Sequence, residues 1–276
     1  MRRVVLLYVL MALAAAPATA QVPRRIVSLA PSVTESLFAI GAGDRVIGVT
    51  SYCVFPRHVA SLPKVGGYLT PSYEALAALS PDLVVVLPEH RDIEGHLRAL
   101  GLPLFHVDHR SLDGIVDGLQ ALGSRCGVDR TAAAAVRELR DLLLRVRQSA
   151  PPGARPRVLV CFGRSADLRQ VHAAAPGTVH DDLLRSAGGQ NVLIGSGVAY
   201  PTLSVESLIR LDPDVIIEFA PGGRDREALR RQWSALNTLR AVKTERVSVF
   251  TDDFLSVPGP RFVRFVETLA RVLHSR

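Results

Sequence analysis

The sequence predicts an α/β protein made of two related α/β lobes with mostly parallel sheets, joined by one long bridging α-helix. Three observations predict it. Short apolar runs of strand length alternate with segments of helical period, the pattern of βα units around parallel sheets. Residues 129–149 are rich in Ala and Leu and free of Gly and Pro, the composition of a helix of five or more turns. After that stretch the pattern of the first half begins again in register.

The chain starts with Arg2-Arg3, an apolar run from Val4 to Ala16 and the small residues Ala18-Thr19-Ala20. That is the layout of a secretory signal peptide, predicted here as residues 1–20 with cleavage after Ala20. The run is short for a membrane span, and no Cys follows the cleavage point to carry a lipid. A soluble periplasmic protein of about 255 residues is expected, enough for two cores.

The first lobe is assigned to 21–128. It reads as strand Arg25 to Leu29, helix Ser32 to Ile40, strand Val46 to Thr50, helix Ser72 to Leu79, strand Leu83 to Leu87, helix Asp92 to Leu100, strand Leu104 to Val107 and helix Leu112 to Gly123. The bridging helix occupies 129–150 and is stopped by Ala150-Pro151-Pro152-Gly153. The second lobe, 151–276, repeats the first. Arg25-Ile26-Val27-Ser28-Leu29 corresponds to Arg157-Val158-Leu159-Val160-Cys161 at a shift of 132, and 67–76 corresponds to 199–208 at the same shift. Leu79-Ser80-Pro81-Asp82-Leu83 continues it into Leu211-Asp212-Pro213-Asp214-Val215. Thr34-Glu35-Ser36-Leu37-Phe38 resembles His180-Asp181-Asp182-Leu183-Leu184 at a longer shift, as an insertion with a compensating deletion produces. A stiff helical connector predicts modest lobe closure.

Composition narrows the function. The net charge of +7 is carried almost wholly by arginine, with only Lys64 and Lys243 as lysines. The arginines are scattered and never alternate with aromatic residues, which argues against nucleic acid. Cys53, Cys126 and Cys161 have no metal-type spacing; two of them could pair in an oxidising compartment, while Cys161 sits in an apolar strand like a small hydrophobe. Gly41-Ala42-Gly43 ends a helix instead of following a strand and reads as a C-cap, and Gly163-Arg164-Ser165-Ala166 lacks the closing glycine of a nucleophile elbow. With no P-loop either, no enzyme and no resident cofactor are expected.

The chemistry-bearing residues are best read through the repeat. Each half places Tyr six residues before Glu: Tyr68 and Glu74, Tyr200 and Glu206. A glutamate in the first turn of a helix offsets the helix dipole, and one such acid per lobe also suits docking onto two arginine-bearing subunits. The tyrosines either pack at loop-helix junctions or face a flat ligand between the lobes. Tyr52 and Phe254 lie past strands of the first and second lobes, where ligands sit in such sheets. His90 with Arg91 follows another strand, and His106 and His109 flank Asp108 past the next, a set that could ligate a transition metal; a rival reading joins His90, His106 and Asp108 as a metal-insertion site of a chelatase-type enzyme.

On these residues the chain resembles the periplasmic binding proteins for cobalamin and iron complexes that serve ABC importers. The resemblance rests on Arg25-Ile26-Val27-Ser28-Leu29-Ala30-Pro31-Ser32 with Thr34-Glu35, on Val65-Gly66-Gly67-Tyr68, on Leu79-Ser80-Pro81-Asp82-Leu83-Val84 and on the run from Tyr200-Pro201 to Asp214. It implies a monomeric protein whose two lobes close on the ligand, with Glu74 and Glu206 docking onto the permease. Ser51-Tyr52 followed by Pro56 resembles the cobalamin-binding branch, in which Tyr52, Tyr68 and Tyr200 occupy corrin-contacting positions. Tyr at both of the latter positions, where that branch can carry Trp, and Asp252-Asp253-Phe254 depart from it, so haem and ferric siderophore stay open. For a siderophore, Arg91, Arg164 and Arg261 would be the cations.

Overall fold

A computed structural model describes residues 21–151, 153 and 155–275; the expected signal peptide lies outside them. The first sheet has the order β2-β1-β3-β4, formed by β1 (Ile26–Ser28), β2 (Val46–Val49), β3 (Leu83–Val86) and β4 (Leu104–His106), with every pairing parallel. Its helices are α1 (Pro31–Ala39), α2 (Tyr73–Leu79), α3 (Arg91–Ala99) and α4 (Leu112–Arg125). Pro31 opens α1, where its missing N–H costs nothing, and Gly41, at φ +83°, takes the left-handed position just past the end of α1, as expected of a C-cap.

The long helix α5 spans Asp129–Ser149, within one residue of the limits read from the sequence. Ala132, Val136, Leu139, Leu143 and Val146 form its buried stripe, spaced at three to four residues. It crosses α4 closely: a Cβ on Gly123 would sit 2.2 Å from that of Ala132, so only glycine fits there.

The second sheet contains β5 (Arg157–Arg164), β6 (Val171–Ala173), β7 (Gln190–Asn191), β8 (Thr202–Leu203), β9 (Val215–Phe219) and β10 (Val247–Phe250). Its parallel part, β7-β5-β9-β10, reproduces the order of the first sheet. The difference is an antiparallel ribbon, β5-β6-β8, which the sequence reading missed. It explains the longer shift between Thr34 and His180: β5 runs past Cys161 and returns as β6 before the next helix begins. The helices of this half are α6 (Val179–Ser186), α7 (Val205–Leu211), α8 (Arg226–Gln232), α9 (Arg240–Lys243), α10 (Pro260–Arg264) and α11 (Val266–His274).

The repeat extends to individual hydrogen bonds. The backbone N–H of Arg25 donates to Asp82 Oδ1, and its guanidinium reaches the carbonyls of Leu79 and Ser80. Arg157 does the same with Asp214, Leu211 and Asp212, each 132 residues later. Ser72 and Ser204 cap the equivalent helices, which end at Ser80 and Asp212, both left-handed at φ 43° and 36°. Left-handed non-glycine residues cost about 1 kcal/mol, and here the Arg clamp onto the last carbonyls offsets it in both lobes.

Side chains alternate along the strands. Ile26, Leu83 and Val85 of the first sheet and Val158, Val160, Val215 and Ile217 of the second face one continuous core that also takes in α4, α5, α10 and α11. Val27, Val84 and Val86, and separately Leu159, Cys161 and Ile216, face the outer layers. All three cysteines are buried and free, so no pair forms; Cys53 touches the hydroxyls of Thr34 and Thr50 instead.

Candidate ligand cleft

The carboxyl ends of the strands from both halves open onto one cavity of about 870 Å³. Ala30, Pro31 and Ser32 follow β1, Tyr52 and Val54 follow β2, Leu87 and Glu89 follow β3, and His109 follows β4. From the other half come Val179 and His180 at the start of α6, Tyr200 before β8, and Asp253, Ser256, Val257 and Pro258 after β10. The size is that of a small-molecule site, and the wall is mainly apolar and aromatic.

Three of the expected ligand residues meet here. Tyr52 is 65% exposed and Tyr200 49%, unusual for aromatic side chains unless something covers them. Tyr68 is more enclosed; burial first, and then the adjacent Glu89 carboxylate, hold its phenol well above the ordinary range. Burial and then Glu89 also raise Tyr200, so a carboxylate of one lobe is felt by a tyrosine of the other. Tyr200 stands edge-on to Phe162 at 5.3 Å between ring centroids.

The other three are placed elsewhere. His90 is fully buried: its Nδ1 accepts from the Leu87 N–H at 2.9 Å, and its Nε2 donates to the Tyr68 carbonyl at 3.0 Å. No lone pair is left for a metal, and His90 instead seats Tyr68. Arg91 is exposed on the first turn of α3 and is not part of the cleft wall. Phe254 turns away from the cavity and packs against Phe265 and the Arg261 guanidinium.

The constellation of His90, His106 and Asp108 is also dispersed. His106 pairs with Glu94 at 2.8 Å and Asp108 with Arg110, and among the described residues no group of His, Cys, Asp and Glu is arranged for a metal ion. Arg164 is buried in an ion pair with Glu218, and Arg261 is paired with Glu35, so neither offers a free cation to a chelate.

Two further histidines line the cleft, His109, expected only as a metal ligand beside Asp108, and His180, which was not expected there. His109 hydrogen-bonds Ser32 Oγ through Nδ1 at 3.0 Å, while its Nε2 is buried without a partner against α4. His180 packs among Phe162, Phe219, Phe262 and Tyr200, with a buried, unpartnered Nδ1. Burial brings both down to about 4, so both are neutral near pH 7. The signal was present in the fold rule: the first helix of each lobe starts at the cleft, at Pro31-Ser32 and at Val179-His180.

The cleft therefore carries two carboxylates, Glu89 and Asp253, one from each lobe, and no arginine or lysine among its described lining residues. Asp253 is fixed by the Gly222 N–H at 2.9 Å. Glu74 and Glu206 lie outside the cleft, exposed in the first turns of α2 and α7.

Comparison with known proteins gives a consistent result. A family model described as periplasmic binding protein matches residues 26–253. A cobalamin-binding protein of Halobacterium salinarum is 28% identical over 265 residues, which are 92% of this chain and 70% of that protein. The crystal structure of the periplasmic vitamin B12-binding protein BtuF of Vibrio cholerae superposes with a TM-score of 0.80 at 26% identity, over 91% of this chain and 97% of that one. The periplasmic heme-binding protein RhuT from Roseiflexus sp. RS-1 gives a TM-score of 0.76 at 25% identity, over 91% and 98%.

Proposed function

The chain belongs to the periplasmic binding protein family, and from that premise we propose that it captures cobalamin or a related corrinoid between its lobes and delivers it to the permease of an ABC importer. Its relatives are binding proteins, which sets aside the chelatase reading. As a member of this family it is an exported protein. Release of a monomeric mature chain after Ala20 and lobes at 21–128 and 151–276 around a bridging helix at 129–150 belong to the proposal.

The observation that carries the ligand assignment is the charge of the cleft. Two carboxylates, two neutral imidazoles and no cation among the described lining residues make a site that repels anions. A ferric siderophore chelate is commonly anionic, and haem carries two propionates. The corrin of cobalamin is rimmed by neutral amides, which donate to carboxylates and to tyrosine oxygens while the ring lies on aromatic faces. Tyr52, Tyr68 and Tyr200 form the platform in this reading; Glu74 and Glu206 engage permease arginines.

One observation favours haem as a second reading. His180 lines the cleft, is neutral near pH 7 and keeps an unpartnered Nδ1, so its imidazole is available to an iron atom. Titration of the mature protein with cyanocobalamin, haemin and a ferric siderophore, followed by ligand absorption, separates the readings. Saturable binding of cyanocobalamin alone is expected; saturation by haemin alone, with a Soret shift abolished in His180→Ala, would transfer the assignment to haem.

A further inference from the structure

Arg261, on α10, ties together two wall segments of the cleft from opposite lobes. Its Nε donates to Glu35 Oε2 on α1 at 3.0 Å, and Nη2 donates to Oε1 of the same carboxylate. Glu35 is buried and Arg261 only partly exposed, so the pair is shielded from competing water. The guanidinium carbon also lies over two rings, 3.7 Å from the centroid of Phe55 and 5.3 Å from that of Phe254. Phe55 directly follows the cleft residue Val54 of the first lobe, and Phe254 directly follows the cleft residue Asp253 of the second. Beside this contact Gly259 lies so near α1 that an added Cβ would meet Glu35 Oε2 at 3.4 Å and the Ser32 Cα at 3.5 Å.

We infer that Arg261 is a positioning residue for ligand binding: with Glu35, Phe55 and Phe254 it forms an interlobe clasp that sets the cleft width without touching the ligand. The inference rests on the cleft being the ligand site and is independent of which ligand fills it. An arginine is needed for both halves of the clasp, because the fork matches a carboxylate and the flat face lies on the rings, and lysine supplies neither. Without the clasp the lobes sample wider separations, and apparent affinity falls by the fraction of molecules still at the competent width. If that fraction drops to about one tenth, binding weakens about ten-fold.

The test places spin labels on Ala77→Cys and Ile209→Cys, exposed positions of α2 and α7 that correspond in the repeat; the native cysteines are buried and should not label. Electron–electron distance measurement without ligand should give one narrow distribution in the otherwise native protein. Arg261→Ala and Arg261→Lys should both broaden it, with saturating cyanocobalamin narrowing it again and the dissociation constant raised about ten-fold. A folded Arg261→Ala protein with the native distribution overturns the clasp, and a broadened distribution with native affinity overturns its role in binding. Should Arg261→Ala not fold, the double variant Phe55→Leu, Phe254→Leu is read by the same two measurements. Absence of cyanocobalamin binding in the native protein would count against the corrinoid reading alone, since the ligand-free distances still decide the clasp.

Discussion

Replacing Arg164 by Met should cost the protein much of its stability and none of its ligand affinity. Arg164 and Glu218 are each 1% exposed in their side chains. The guanidinium donates through Nε to Glu218 at 3.0 Å, through Nη1 to Gln232 Oε1 at 2.8 Å and through Nη2 to the Leu229 carbonyl at 2.9 Å. Its centre lies 5.3 Å from the Trp233 ring centroid, and Trp233 Nε1 donates to the other carboxylate oxygen at 2.7 Å. In Arg164→Met the Glu218 carboxylate stays buried with Trp233 as its remaining donor. Stranding a buried charge in this way costs about 3–5 kcal/mol. At roughly 2–4 °C per kcal/mol for a chain of this size, the melting temperature should fall by about 6–20 °C. Removing the carboxylate as well, in Arg164→Met with Glu218→Leu, should recover most of the loss, because the penalty lies in the unpaired charge. The assay is thermal unfolding by circular dichroism, with ligand titration well below the lowered midpoint. An Arg164→Met protein that melts like the native one but binds ligand weakly would refute this placement and return Arg164 to the cleft.

Tyr200→Ala and Tyr52→Ala should each weaken ligand binding by about 1–3 kcal/mol if the ring lies against the macrocycle; an unchanged titration curve would remove that residue from the site. Glu74→Ala combined with Glu206→Ala should leave ligand affinity intact and impair uptake by the importer, and lost ligand binding in the folded double variant would reject the docking role. Burial depresses His180 to about 4, so the native state resists a proton that the unfolded chain accepts below about 6.5. Its contribution is therefore complete above pH 6.5 and lost as pH falls toward 4, by roughly 2 kcal/mol between pH 7 and pH 5. Urea unfolding should show that slope flattened in His180→Phe, and equal slopes in the two proteins would contradict the burial of a neutral imidazole.

Much of the fold could be read from local chemistry. Apolar runs bounded by Pro and Gly gave the strands, and the uninterrupted Ala-Leu stretch gave α5 to within one residue. The register shift of 132 proved physical, because it carries Arg25, Asp82 and Ser80 onto Arg157, Asp214 and Asp212 in the same hydrogen-bond pattern. The ribbon β5-β6-β8 escaped because β6 and β8 are only two or three residues long, too short to show an alternating pattern. Within the cleft, the positions of Tyr52, Tyr68 and Tyr200 were legible from strand ends and the repeat, whereas the ion pairs that occupy Arg164 and Arg261 were not. Arg164 finds its partner 54 residues away and Arg261 finds Glu35 across 226, separations at which a sequence does not show which cations are neutralised. The partners of His90 were hidden for a related reason: a strand-end histidine can bond the backbone on both ring nitrogens, and here it does.

The central claim is that the cleft selects a neutral macrocycle over an anionic one. Calorimetric titration of the mature protein with cyanocobalamin and with haemin, in the same buffer at two salt concentrations, tests it most directly. Tight 1:1 binding of cyanocobalamin with little salt dependence is expected, alongside haemin binding that is much weaker and improves as salt screens Glu89 and Asp253. Haemin binding that is tighter than cyanocobalamin binding and weakens with salt would contradict it.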